Sequence, residues 1–360
     1  MIGLTSSHLS VVMATTVADE TQTTERMTSS FFVDNEFYFE LAVVLIGTVG
    51  TAGNALVLYA LVASGQHRKH LLIFNQNALD LASCLSLALV YAVRMFNLHL
   101  TGALGHWLCV ALLSDYPIWC GTNGSAINLA SIAVDRYLKV VHPIWSRKHL
   151  RPCVIYTAMA FAWVASIAYN TIMVVLSSRV HAGKCYGYSV FAKRWQLIAY
   201  DTWYIVSFYF VILAILVVCY WRILAAVRRR ASAMADRGGL GSSSAAQARL
   251  DRVQSGVIKT MITVSAFYAV AWLPANVYYL LTWFQNLYLT FIDARYYVTV
   301  FVAFLYVCAN PFIYAAKFDA VRKTLVDMIP CSINLLRPDA TVDSPPPSTA
   351  AAAPTAPCVG

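Results

Sequence analysis

Charge is what this chain lacks. Only 12% of its 360 residues are Asp, Glu, Lys or Arg, while 59% are hydrophobic. Soluble domains carry about 25% charged residues, so a surface wetted all round is disfavoured. Spacings that would mark a metal site or a nucleophile–base pair are missing too, and no covalent chemistry, metal or organic cofactor is expected. Residues 1–37 lack the basic-then-apolar pattern of a cleaved leader. No Asn-x-Ser/Thr sequon occurs in them; the single match, Asn123-Gly124-Ser125, falls inside an apolar segment. No internal repeat is evident, which weakens an inverted-repeat transporter reading.

Long apolar runs are abundant. A helix crossing about 30 Å of hydrocarbon needs roughly 20 apolar residues. Seven segments meet that length, near 38–63, 71–96, 107–140, 152–176, 197–228, 257–284 and 291–315. The expected fold is an all-α membrane protein, because unpaired strands would leave backbone polar groups unsatisfied in lipid. The domains expected are an outer tail 1–37, a seven-span bundle with a short amphipathic eighth helix over 38–330, and a tail 331–360 rich in Pro, Ala, Ser and Thr. Sorting the 26 Lys and Arg by alternate loops gives 19 on one side and 7 on the other. The basic side is expected to be cytoplasmic, putting the N-terminus outside. That distribution also points to membrane lipids, not nucleic acid, as the partner of the net charge of +9.

Nine cysteines are present, most of them inside spans as small apolar fillers. Cys109 and Cys185 stand at the outer side, where either a disulfide or two free thiols would fit and the oxidising compartment favours the bridge. Cys331 follows "FDAVRKTLVDMIP" and is equally readable as a palmitoylation site or a free thiol.

A charge near mid-bilayer costs at least ~2.5 kcal/mol on insertion scales, so it needs a partner or a use. Asp80 is the acid deepest in span two, with Ser125, Asn310 and Asn54 as polar company. It reads as a hydrogen-bond hub or as a cation or proton site. Asp135-Arg136-Tyr137 ends the third segment. There Arg136 is either an interfacial anchor or a guanidinium held by its neighbouring acid until helices part. Pro274 and Pro311 lie inside spans and delete backbone hydrogen bonds, making hinges; Trp272 sits half a turn before the first.

Taken in order, these residues resemble one family. "GTAGN" with Asn54, "NQNALD" with Asp80, Trp163, "DRY" followed by Pro143, Tyr220, "AWLP" and "NPFIY" with Asn310 and Tyr314 are similar to the rhodopsin-like (class A) G-protein-coupled receptors over 38–330. The resemblance implies a plasma-membrane receptor coupling an extracellular ligand to a heterotrimeric G protein, with arrestin as a further partner. It implies that Asp135, Arg136, Tyr137, Tyr220, Trp272, Pro274, Asn310, Pro311 and Tyr314 form the activation switch. Asp80 with Ser125 and Asn54 would form a polar core that can take Na+, and Pro143 and Ile144 would join Arg136 against the G protein.

Several positions depart from the family pattern. Cys109 lies 27 residues before Arg136, two more than is usual, so the top of the third helix is expected to be irregular. Ile212 replaces the customary proline of span five, Tyr268 a Phe, Tyr306 an Asn of the sodium site, and Gln254 an acid that often locks Arg136. Phe304 stands where an opsin needs its retinal-binding Lys, which disfavours light sensing.

Ile118 occupies the position of the amine-receptor Asp. Asp115, one turn outward, would either face the pocket or pair with Arg94. Arg94, Asp115, Ile118, Trp119, Tyr204, Tyr279 and Tyr296 are the pocket candidates. Aromatics with both charge signs suit a peptide first and an amine or other small molecule second, though an interfacial aromatic belt would look alike. Two other readings remain, a seven-span transporter or channel and a receptor homologue that sequesters ligand without signalling.

Overall fold

The computed structural model describes residues 36–186, 193–236, 245–284, 294–317 and 319–328. Cys331, both tails and the side chain of Gln254 lie outside the described residues. Among the described residues six helices are long and apolar enough to cross a membrane: span one Glu36–Ala63, span two Leu71–Arg94, span four Pro152–Ser177, span five Ile198–Arg230, span six Gly256–Leu281 and span seven Arg295–Lys317. Helical structure runs past several of these limits. Span five extends to Asp236, and span six belongs to a 40-residue helix, Ala245–Phe284. At 1.5 Å per residue that helix is about 60 Å long, roughly twice the hydrocarbon thickness.

Span three, Tyr116–Val141, is the seventh helix, and it falls short of the apolar criterion the other six meet. It packs against spans two, four and five, so its faces meet protein and need not be apolar. Thr122, Asn123, Ser125, Asn128 and Asp135 are all buried on it. The irregularity expected at the top of the 107–140 segment takes the form of a break. A short helix Gly102–Leu108 runs into a π-helical turn Cys109–Leu113, and Asp115 takes a left-handed conformation with φ 62° before the helix restarts. The wide turn and the left-handed residue absorb the extra length between Cys109 and Arg136. Asp is among the few non-glycine residues that tolerate φ above zero, and Pro117 fits the new first turn because its missing N–H has no partner to lose.

A second π-helical turn, Val206–Phe210, widens span five just ahead of Ile212. At the same end of the bundle, strands Arg179–His181 and Lys184–Tyr186 form an antiparallel hairpin. The Cys109–Cys185 disulfide pins that hairpin to the turn above span three. At the opposite end lie the short helix Pro143–His149 and an eighth helix Asp319–Met328. Val321 of the eighth helix is buried against the bundle, while Lys323 and Val326 are exposed. The apolar core lies along the seams of spans two, three, five, six and seven, with Leu87, Leu129, Ile223, Met261, Tyr306 and Tyr314 enclosed.

Candidate functional site: an outer pocket, a polar core and a basic end

An open cavity lies at the disulfide end. Asp115, Trp119, Tyr204, Tyr279 and Tyr296 line it, joined by Asn170, Tyr200, Asp201, Trp272, Asn276 and Phe304. Trp119 is its centrepiece, packed edge-on to Tyr204 (centroids 6.0 Å) and tilted against Trp272 (6.1 Å) and Phe304 (6.5 Å). The Tyr204 hydroxyl donates to Asn123 Oδ1 at 2.9 Å.

Two pocket candidates sit elsewhere. Ile118 is fully buried in the core and does not line the cavity. Asp115 and Trp119 are one turn apart and share a face, whereas Ile118 is rotated about 100° from Trp119 around the helix. Arg94 stays at the edge, where it donates to Asp115 Oδ1 at 2.8 Å and to the Leu113 carbonyl at 2.6 Å, with its guanidinium over the Tyr91 ring. Of the two readings of Asp115, the ion pair is therefore present, while the carboxylate still reaches the cavity wall.

Below the cavity, Asp80 is fully buried. Ser125 Oγ donates to Oδ1 at 2.6 Å, Asn310 Nδ2 to Oδ2 at 2.8 Å, and Gln76 Nε2 to Oδ1 at 3.3 Å. Asn54 is not in this group: it donates to the Val307 carbonyl at 3.3 Å and to Cys84 Sγ at 3.6 Å. Gln76 was missed, although its i, i+4 spacing to Asp80 is visible in "NQNALD". It extends the network: Asn128 donates to Gln76 Oε1 at 2.8 Å, Asn75 to Asn128 Oδ1 at 2.9 Å, and Trp163 Nε1 to Asn75 Oδ1 at 3.0 Å. A continuous polar chain thus crosses spans four, two, three and seven. Each Asp80 oxygen accepts from at least one of these donors, which makes the carboxylate the hub of the network.

At the basic end, Arg136 Nε lies 3.5 Å from Asp135 Oδ2. Lys139, one turn on, holds the same carboxylate at 2.8 Å, a partner that i, i+4 spacing also offered and that was missed. Among the described residues Arg136 has no other acid within ion-pair distance. Tyr137 reaches His142 instead, 3.1 Å from its Nε2. Arg230 from span five donates to the Val140 carbonyl at 2.7 Å, satisfying the last turn of span three. Tyr220 and Tyr314 are buried nearby, and Ser265 Oγ donates to the Tyr220 hydroxyl at 3.4 Å. Pro143 opens the short helix that follows, and Ile144 is 87% exposed on it.

Pro274 and Pro311 both lie inside continuous helices. Trp272, two residues before Pro274, reaches the cavity floor with an indole N–H that is buried and unpartnered among the described residues.

Comparison with known proteins agrees with this architecture. The family model described as "7 transmembrane receptor (rhodopsin family)" matches residues 53–314. The chain is 27% identical over 346 residues to melanopsin-A of Gadus morhua, covering 91% of this chain but spanning only 58% of melanopsin-A. It is 25% identical over 319 residues to C5a anaphylatoxin chemotactic receptor 1 of Cavia porcellus, covering 83% of each chain. To galanin receptor 2a of Danio rerio it is 25% identical over 301 residues, covering 80% of this chain and 77% of that protein. The crystal structure of squid rhodopsin shares the fold with a TM-score of 0.68 at 17% identity, covering 85% of this chain and 88% of that one. The chain belongs to the rhodopsin family of seven-transmembrane receptors, the rhodopsin-like G-protein-coupled receptors.

Proposed function

We propose that this receptor sits in the plasma membrane with its N-terminus outside, binds its ligand in the cavity at the disulfide end, and activates heterotrimeric G proteins at the Arg136 end. Arrestin is a further partner by the same family reasoning. The reading rests on the position of Trp272. It touches the ligand cavity and lies beside Pro274, on the helix that packs against spans three, five and seven. A ligand that moves this ring biases the tilt of span six, and binding at one end becomes a population shift at the other. Arg136, held at 3.5 Å by an acid that Lys139 also occupies, is the group released when span six tilts. Exposed Ile144 supplies an apolar contact for the G protein beside it. No covalent step is involved.

A peptide is the favoured ligand. The cavity combines aromatic walls with Asp115, Asp201 and amides, and two of the relatives above are named as receptors for galanin and the C5a anaphylatoxin. Against a retinal ligand, no lysine lines the cavity among the described residues, and Phe304 stands on its wall.

The test is nucleotide exchange by a panel of purified G proteins on membranes carrying the chain. Exchange above that of empty membranes is expected, falling to the empty-membrane level for Arg136→Ala at equal surface display. Exchange that survives this substitution would overturn the proposal.

A further inference from the structure

Two thiols that take no part in the polar chain face each other across the seam of spans two and seven. Cys84 follows Asp80 by one helical turn, and Cys308 lies two residues before Asn310. Both therefore sit on the cavity side of the Asp80–Asn310 hydrogen bond. Their sulfurs are 3.6 Å apart, and neither is bridged. Cys84 is 0% and Cys308 4% exposed.

Span one closes over the pair. A Cβ on Gly50 would stand 2.7 Å from the Cys84 sulfur and 2.9 Å from the Cys308 Cα, so only glycine leaves room there. Asn54, one turn along, donates to the Cys84 sulfur. Buried cysteines usually serve as small apolar filler, a role that does not require two of them to meet sulfur to sulfur.

A disulfide holds its sulfurs about 2.05 Å apart, so closing this pair requires an approach of about 1.5 Å from the observed 3.6 Å. We propose that Cys84 and Cys308 form a peroxide-sensitive dithiol that closes to a disulfide inside the membrane, stapling span two to span seven. The oxidant is hydrogen peroxide, which is small and uncharged.

One cysteine sulfur attacks the peroxide O–O bond, forming sulfenic acid and releasing water. The second sulfur then attacks the first; the S–S bond forms, the S–O bond breaks, and the departing oxygen takes the second thiol's proton as another water. The dithiol gives up two electrons and two protons, and the peroxide accepts them. Burial slows the first step, because a thiolate is the better nucleophile. The second is fast, because the partner thiol is already in contact and sulfenic acids condense readily with a neighbouring thiol. The pair thus answers sustained oxidant rather than a brief pulse. Resting on the receptor reading, the staple fixes the Asp80–Asn310 seam and lowers signalling; formation of the bond itself does not depend on that reading.

The experiment treats the full chain in membranes with graded hydrogen peroxide, denatures it in an alkylating agent, digests it without reductant and maps the peptides by mass spectrometry. Exposed Cys153 reports that oxidant was present. The expected result is a linked pair of peptides carrying Cys84 and Cys308, lighter by two hydrogens, increasing with dose, reversed by reductant and lost in Cys308→Ala. Oxidised Cys153 alongside alkylated Cys84 and Cys308, or sulfinic acid on either without a link, would overturn the proposal. Nucleotide exchange is not read, so failure of the receptor reading would leave this result standing.

Discussion

Tyr209 and Tyr268 bond each other's helices. The Tyr209 hydroxyl donates to the Ala269 carbonyl of span six at 3.0 Å, and the Tyr268 hydroxyl donates to the Phe208 carbonyl of span five. The second acceptor lies in the π-helical turn Val206–Phe210, where the wider repeat leaves a carbonyl in need of a donor. Tyr268 stands where the family typically has Phe, and its extra oxygen supplies that donor. The two bonds tie span five to span six just inward of the hinge at Pro274.

If the tie resists the tilt of span six, Tyr268→Phe loosens the resting state. Interhelical hydrogen bonds in membranes contribute about 0.6–1.7 kcal/mol, so basal nucleotide exchange is expected to rise roughly three- to twenty-fold. Exchange measured at matched surface display checks this; a fall would show that the tie serves the active arrangement.

His70 precedes span two, outside the membrane-spanning segments. Burial first, then the charges of Arg136 and Lys139, push its pKa from 6.5 down to about 4. Between those values the unfolded chain binds the proton and the folded chain does not. This contribution to stability is therefore complete above pH 6.5 and is lost as pH falls towards 4, by up to ~3 kcal/mol. Melting temperatures of the solubilised receptor at pH 7 and pH 5 should differ less for His70→Phe than for the unaltered chain. An equal pH response would remove this role.

The hairpin at the disulfide end rests on two constraints. Cys185 is bridged to Cys109, and Gly183 has φ 76° with the His99 ring packed where a Cβ would stand. Gly183→Val adds both a clash and a strained conformation, and Cys185→Ser removes a link of the kind that typically contributes 2–5 kcal/mol. Both are expected to lower surface display, measured on intact cells, with the cysteine variant lower. Normal display of both would show that the hairpin folds without them.

Asp80 accepts on both oxygens from Ser125 and Asn310. Asp80→Asn offers one acceptor and turns an amide N–H towards the other donor. A loss of about 1–3 kcal/mol is expected, seen as a lower melting temperature and partly rescued by Asn310→Asp, which restores an acceptor to the pair. Absence of rescue would place the cost at Ser125 instead.

Much of this was legible in the sequence. Runs of apolar residues marked the helices, and Pro274 and Pro311 fell inside helices as placed. Spacing from Arg136 flagged an irregularity above span three, but only coordinates put it at Cys109–Leu113 and Asp115. Counting back along the chain put Ile118 in the pocket, because a position count does not say which way a helix face points. Asn54 was grouped with Asp80 on composition, though two polar residues on neighbouring spans can bond a backbone carbonyl as well as each other. Gln76 and Lys139 were within reach of i, i+4 reasoning. Tyr268 and Phe208 were not, since a side chain meeting a widened turn 60 residues away leaves no local pattern.

The most direct test of the account is whether span six leaves span three when a G protein binds. Spin labels at exposed Lys148, beside Ile144, and exposed Lys259, on span six, placed in a background with Cys153, Cys331 and Cys358 replaced by Ser, report that separation. With each of several heterotrimeric G proteins added and nucleotide removed, the distance is expected to lengthen by several ångströms for at least one of them, and Arg136→Ala is expected to abolish the change. A separation that stays the same with every G protein would contradict the account.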